Sequence, residues 1–485
     1  MKSRHGNRAN DAPVDHEEVT NMLQTDSGTN RRRSGWRRAA GQAGAALSVL
    51  LLVVWAGCKN PLNVTNPNKL TEEDVSSPSA YGSLVGGSLN NLERASAGML
   101  AIINTASDEA FWIGSRDAWG ALDKGRISDP TNEFTDATWP YVGEARYIAD
   151  KAIIEGEQLQ SDGTLPSPDL LAQAYLYGGT LYTLIADTWQ RYVLPSDLTD
   201  PTEAGKPIAA SSMPGLYDTA IGYFTKGLGV VKDAEIKAEL MAMRARAKQA
   251  KVIREKIQGG NPTAGSGLVP SPDAVADAQT ALGMIGSDNG WRFRLDFSYD
   301  LLGISCESWA GQVWDRGELQ VGDQGFPNNS YVYLSTSNKQ IDSVRLRDPI
   351  DGVLDPEFSS QLSEFQAGGK AAGMTEMSTR ELHLIVAEDA LANADTATFA
   401  SEINTVRGYD GLTDWDMANP QIPAKQMLEY ERNVNLIWQG RRLADHYRFG
   451  SQDPLWQPNS VAATQTGTLF PITITEIRSN PNVSG

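Results

Sequence analysis

The chain has 485 residues, 40% hydrophobic and 21% charged, the balance of a soluble globular protein long enough to bury one large core or several smaller ones. Its formal net charge is -18, and an acidic surface repels phosphate backbones, so nucleic acid is not an expected partner. Two cysteines and four histidines offer neither a disulfide framework nor a cluster with metal-ligand spacing, so no metal or other cofactor is expected.

Residues 1 to 30 are polar and without periodicity. Arg31 to Arg33 with Arg37 and Arg38 then form a basic cluster, and an apolar run from Ala43 to Trp55 ends in Ala56-Gly57-Cys58. A charged start, a greasy middle and small residues at the cut are the order of a signal peptide. The run is shorter than the roughly 20 apolar residues that a spanning helix requires. The small pair directly before Cys58 resembles the bacterial lipobox, with Trp55 where Leu is usual. That resemblance implies removal of residues 1–57, and a lipidated, acylated Cys58 that holds the chain on a membrane through several acyl chains. Met22 offers an alternative start, and Arg32-Arg33 an alternative, twin-arginine reading of the export signal.

From Cys58 to about Ser77 the prolines and asparagines disfavour helix and strand, so this stretch is expected to be an extended tether. Helical periodicity dominates thereafter. Leu171, Ala174, Tyr175, Gly178, Tyr182 and Ile185 share one helix face, opened by Ser167 as N-cap and Pro168 at the first helical position. Helices are predicted in pairs, near 140–157 with 168–189 and 214–231 with 235–257, and a further one over 274–285. Ser107 to Tyr141 reads as a polar, glycine-containing loop region between helices. From about Asn289 to Gly373 short alternating runs replace the helical pattern, as in Trp291-Arg292-Phe293-Arg294-Leu295, and predict short strands in a loop-rich segment. Helix returns at Ser378, where Glu381 three residues on completes a capping box, and continues over Thr396–Gly408 and Lys425–Phe449 before an extended tail.

The fold class is therefore mainly α: a tetratricopeptide-like scaffold of helical hairpins, with an irregular region containing short strands. Residues 58–77 form the tether and 78–485 one binding domain, with hairpins over 78–288 and 376–450, a ligand-facing segment over 289–375 and a tail over 451–485. Loops on a rigid scaffold often carry binding residues, and flat rings beside polar groups suit sugars. Candidate ligand contacts are accordingly Trp112, Arg116, Asp117 and Trp119 in the first loop region, with Trp309 and Trp314 in the second. Core packing is the competing role for each ring. Arg380, Glu381, Glu388, Arg407, Glu431 and Arg442 lie on amphipathic helices and are expected to form ion pairs that hold helices together. Asp315 and Glu318 are the nearest approach to a glycosidase pair, and no phosphate loop, nucleophile elbow or zinc-protease motif is present.

Four motifs in the last hundred residues carry a family resemblance. They are Glu381-Leu382-His383-Leu384-Ile385-Val386-Ala387-Glu388, Ile403-Asn404-Thr405-Val406-Arg407, Glu431-Arg432 with Gln439-Gly440-Arg441-Arg442, and Leu469-Phe470-Pro471-Ile472 with Glu476 and Asn480-Pro481. In this order, behind a lipobox, they resemble the SusD/RagB nutrient-binding lipoproteins. Ser378, Asn435, Gln439 and Thr473 depart from that pattern. The resemblance implies a SusD-like α/α superhelix on the outer membrane, facing outward. It also implies an oligosaccharide or peptide ligand and a SusC-like TonB-dependent transporter as partner, with no catalysis. A helical glycan-degrading enzyme and a tetratricopeptide-type envelope scaffold are the competing functions.

Overall fold

A computed structural model describes residues 77–483, apart from Thr199, Pro201, 298–308, 322–331, 336–339 and Arg345. Cys58, the signal segment, the tether before Ser77 and Cys306 lie outside the described residues.

The first half of the chain is built of long helices. α1 (Tyr81–Thr105) is followed by the short strand β1 (Ala110–Trp112) and by α2 (Asp117–Asp123). α3 (Glu133–Ser161) starts about two turns earlier than its periodicity announced and carries Pro140 inside it. An internal proline removes one helical hydrogen bond. Here the side chain of Asn132 caps the N–H groups of Phe134 and Thr135, and Phe134 and Trp139 bury against the core. α4 (Pro168–Thr188) begins at the expected Ser167 cap, and β2 (Val193–Leu194) and β3 (Lys206–Pro207) form a small hairpin behind it. α5 (Gly215–Val230), α6 (Ala234–Gln258) and α7 (Pro272–Ile285) complete this half.

Consecutive helices from α3 to α7 pack on one another, and α1 packs on α3 and α4, which is the layering of stacked helical hairpins. Small residues set the spacing. A Cβ at Gly179 would stand 2.5 Å from the Phe224 ring, so α4 and α5 approach closely only because that position lacks one.

The segment that follows is irregular but contains more order than its composition suggests. It holds β4 (Arg292–Leu295), the short helical turns Trp309–Gly311 and Gln312–Arg316, and the strands β5 (Leu319–Val321), β6 (Val332–Ser335) and β7 (Gln340–Val344). It also holds a helix not expected there, α8 (Pro356–Gly368). Asp355 caps that helix, Pro356 opens it, and Phe358, Leu362 and Phe365 bury one face at helical spacing. β8 (Met374–Ser378) then pairs antiparallel with β4, β5 with β1, and β6 with β7.

α9 (Thr379–Ala392) and α10 (Thr396–Tyr409) form the next hairpin. Only half of the expected capping box forms. The Ser378 hydroxyl accepts from the Glu381 N–H at 3.1 Å, while the Glu381 carboxylate turns to Arg441 instead. The single helix expected over Lys425–Phe449 is two, α11 (Ala424–Asn435) and α12 (Arg442–Phe449). They are separated by a turn in which Trp438 has φ +58° and Gly440 φ +76°, conformations that no helix accommodates. The tail includes two short helices, α13 (Val461–Thr464) and α14 (Ile474–Ser479), and Phe470 bridges back to Trp189.

One large apolar core runs through the hairpins, with a second cluster of Leu384, Phe399, Trp415 and Leu428 among α9, α10 and α11. The arginines of the carboxy-terminal motifs are ion-paired. Arg407 reaches Asp348 at 2.7 Å and Glu431 at 3.0 Å, Arg448 pairs with Glu388, and Arg442 holds Asp108 at 2.8 Å. Among the described residues no helix is long and apolar enough to cross a membrane.

Candidate functional site

The β4–β8 pair, α8 and the turn between α11 and α12 enclose a cleft of about 310 Å³. The alternation of β4 puts Arg292 and Arg294 on one face, and both reach Glu364 of α8, the first at 2.8 Å. Arg294 also donates to Asp296 at 3.4 Å. Burial, and then the charge of Arg292, holds the Arg294 guanidinium below the usual arginine range. Gly373 lets the chain pass close to this cluster, since a Cβ there would stand 2.6 Å from the Asp296 carboxylate.

The floor is aromatic. The Trp438 ring lies 5.0 Å from Phe365, Trp309 stacks on Phe365 at 5.4 Å, and the two tryptophans are 6.1 Å apart. Trp438 is the strained element. A bulky aromatic residue at positive φ is an outlier that costs on the order of 1–3 kcal/mol. It is held by two bonds to one residue: its N–H donates to the Glu109 carboxylate and its indole N–H to the Glu109 carbonyl, both at 3.1 Å. Burial, then the neighbouring charge of Asp108, pushes the Glu109 carboxyl up to about 8.

A second chamber, also about 310 Å³, shares Arg292, Gln361, Thr375 and Gln439 with the first. Its wall carries Arg380, which is bidentate to Asp410 at 2.7 and 2.8 Å and donates to Asn435 at 2.9 Å. The two chambers make one elongated groove. It presents fixed donors and acceptors beside aromatic rings, which suits a polar ligand of several linked units. Its carboxylates Glu364, Glu357 and Asp410 are each held by arginine, and Asp296 meets Arg294 at its mouth. No cluster of metal-ligating side chains occurs among the described residues.

The two tryptophan groups singled out in the sequence do meet in space, because β1 pairs with β5 in the register Trp112↔Leu319. They do not meet as an open shelf. Trp119 is 1% exposed, stacked 3.8 Å from Phe134, and its indole N–H goes to Gln312. It is a core ring, and the expectation of a ligand contact there is corrected by its burial. Trp112 packs across Gly120, beneath the Lys124 ammonium. Arg116 pairs with Glu133 on the surface, and Asp117 is exposed in the first turn of α2. Glu318 is committed to that loop: its carboxylate accepts the N–H groups of Ser115 and Arg116 at 2.8 and 2.9 Å. Trp309 is 3% exposed and lines the groove, and Trp314 packs on Phe365 from 5.3 Å.

Sequence reasoning missed Arg292, Arg294, Phe365 and Trp438. For the two arginines the signal was present, since period two places them on one strand face. Phe365 lies on the unexpected helix, and nothing in the chain announces the positive φ of Trp438.

Stacked helical hairpins beside an irregular segment with short strands define the architecture of the chain. Its fold is the SusD-like one. A SusD superfamily protein of Bacteroides thetaiotaomicron VPI-5482 is 14% identical over 83% of this chain and 99% of its own, at a TM-score of 0.56. A SusD-like carbohydrate binding protein of Bacteroides vulgatus ATCC 8482 is 13% identical over 84% of this chain and 97% of its own, at a TM-score of 0.52. A SusD superfamily protein of Parabacteroides distasonis ATCC 8503 is 12% identical over 86% and 99%, at 0.54. No family model and no curated protein matches the chain.

Proposed function

We propose that this chain is a nutrient-binding lipoprotein of the SusD/RagB kind. It is held on the outer face of the outer membrane through Cys58, and it passes an oligosaccharide, or alternatively a peptide, to a SusC-like TonB-dependent transporter. The observation that carries this reading is the groove beside β4 and β8, where Arg292, Arg294 and Glu364 form a charged network against an aromatic floor. The SusD-like carbohydrate binding protein of Bacteroides vulgatus has the same fold and favours a sugar ligand. Glu364, Glu357 and Asp410 are each ion-paired with arginine, which favours binding over hydrolysis.

The test is calorimetric titration of the chain from Cys58 onward with a panel of oligosaccharides and peptides, repeated on Arg294→Met. A ligand of the groove should bind roughly tenfold more weakly to the variant, the loss of a charged hydrogen bond. Equal affinity in both proteins would remove the groove as the site, and turnover of the ligand would replace binding with catalysis. Co-purification of a TonB-dependent barrel with the full chain, lost on Cys58→Ser, tests the partner and the anchor together.

A further inference from the structure

A cavity of about 40 Å³ lies between α6, α11 and the start of α12, and it shares no lining residue with the groove beside β4 and β8. Four arginines line it, Arg246, Arg254, Arg432 and Arg441. The carboxylates beside them are already taken. Asp187 accepts Arg246 Nη2 at 2.7 Å and the Tyr217 hydroxyl at 2.6 Å, and Glu381 accepts Arg441 at 3.1 Å. Asp445 is shared by Arg432 at 2.9 Å and Arg448 at 2.7 Å. Two more carboxylates adjoin the cluster: Glu388 is paired with Arg448, and burial holds the Glu376 carboxyl above the usual carboxylate range, toward its neutral form. Arg254 hydrogen-bonds no carboxylate among the described residues. It donates instead to the carbonyls of Ala186 and Trp189 at 3.2 and 3.0 Å.

Donors in this cluster outnumber acceptors. Arg246 is 2% exposed, and neither its Nε nor its Nη1 has a hydrogen-bond partner among the described residues. Arg432 is 3% exposed, and its Nη1 is also unbonded, standing 3.6 Å from the Glu388 carboxylate. Buried polar groups are otherwise nearly always bonded, and a buried charge without its acceptors is costly. The backbone points the same way. Leu443 and Ala444, in the first turn of α12, line the cavity, and the N-cap residue Arg441 makes no capping bond with its side chain. The free N–H groups of a helix start carry partial positive charge and draw an anion.

The volume admits an occupant the size of about two or three water molecules, far smaller than a sugar unit. A single negative charge matches the one lining arginine, Arg254, that hydrogen-bonds no carboxylate. We propose that this cavity binds a monovalent inorganic anion of chloride size, held by Arg246 and Arg432, and that the ion ties α6 to α11 and the start of α12. Urea denaturation of the full chain, at fixed ionic strength with chloride exchanged for the bulkier gluconate, tests it. The unfolding equilibrium constant should fall about tenfold as chloride rises from about 1 mM to about 100 mM, as mass action gives for a site half-filled near 10 mM. Bromide should act as chloride does, and in crystals grown with bromide its anomalous signal should lie in the cavity beside Arg246. Arg246→Lys keeps the charge opposite Asp187 but loses the planar fork of donors, so most of the chloride dependence should disappear. Unfolding indifferent to the anion present, an unaltered dependence in Arg246→Lys, or a cavity that contains water and no bromide would each overturn the proposal. Should the lysine variant fail to fold, the bromide position in the unaltered chain decides: in the cavity it supports the site, and elsewhere it removes it.

Discussion

At the scale of single residues, Trp438 joins backbone strain to the groove. Its ring packs between Phe358, Phe365 and Trp309, while its backbone sits in a region that favours glycine. Two effects therefore oppose each other on substitution. Truncation to Ala should destabilise the protein by about 3–5 kcal/mol, the cost of removing a large core ring. Trp438→Gly removes the same ring but also relieves the strained φ, so it should be more stable than Trp438→Ala by roughly 1 kcal/mol. Urea denaturation of the two variants reads the difference, and a less stable glycine variant would mean that φ +58° carries no strain here. The neighbouring Glu109 is a second residue whose chemistry comes from its surroundings: no feature of Asp108-Glu109 in the chain indicates that Trp438 will be its hydrogen-bond donor.

At the scale of elements, the groove depends on α8, which supplies Glu364 and Phe365 and is set by the residue that caps it. The Asp355 carboxylate accepts the Phe358 N–H at 2.8 Å and the Tyr430 hydroxyl at 2.7 Å, joining α8 to α11. Loss of such a cap costs about 1 kcal/mol, and loss of the tyrosine's partner adds to it. Asp355→Ala should therefore lower stability by roughly 1–3 kcal/mol and weaken ligand binding through displaced groove residues, whereas Asp355→Asn should keep most of both. Denaturation midpoints and ligand affinity, measured on the same samples, check this. The elements also show where periodicity is informative. α4 and α6 follow their apolar spacing closely because each buries a face against its neighbours in sequence. α8 was hidden because it is a single short helix among strands, and the break at Leu436–Arg441 because a helix-like pattern continues across a turn that only tertiary bonds hold.

For the whole molecule, pH is the variable that reports the buried charge. Glu109 is held near 8, and Asp453, through burial and then the charge of Asp108, also near 8. Both values lie far above those of the unfolded chain, near 4. Between roughly pH 4 and 8 the unfolded state releases these protons while the folded state keeps them. Their contribution is complete below the unfolded value and is lost as pH rises through the folded one. Asp445 acts in the opposite sense: burial raises it, but Arg432 and Arg448 outweigh burial and hold it at about 2, so its contribution is lost only in strong acid. The urea midpoint should accordingly fall from pH 5 to pH 8.5, and Glu109→Gln should flatten that fall. An identical slope in the variant would remove Glu109 as a source.

By itself the sequence determined the class of architecture: paired amphipathic helices, an irregular segment after Asn289 and the order of carboxy-terminal motifs are properties of local spacing and apolar periodicity. It also indicated that the charges of those motifs would serve the fold, because charged residues on helix faces that must bury need partners. Tertiary structure alone decided the groove. Arg292 meets Glu364, and Trp309 meets Trp438, across gaps in sequence that no periodicity spans. It also decided that Trp119 is core: residue type makes a ring suitable for a ligand, but only packing settles which face of that ring is left to water.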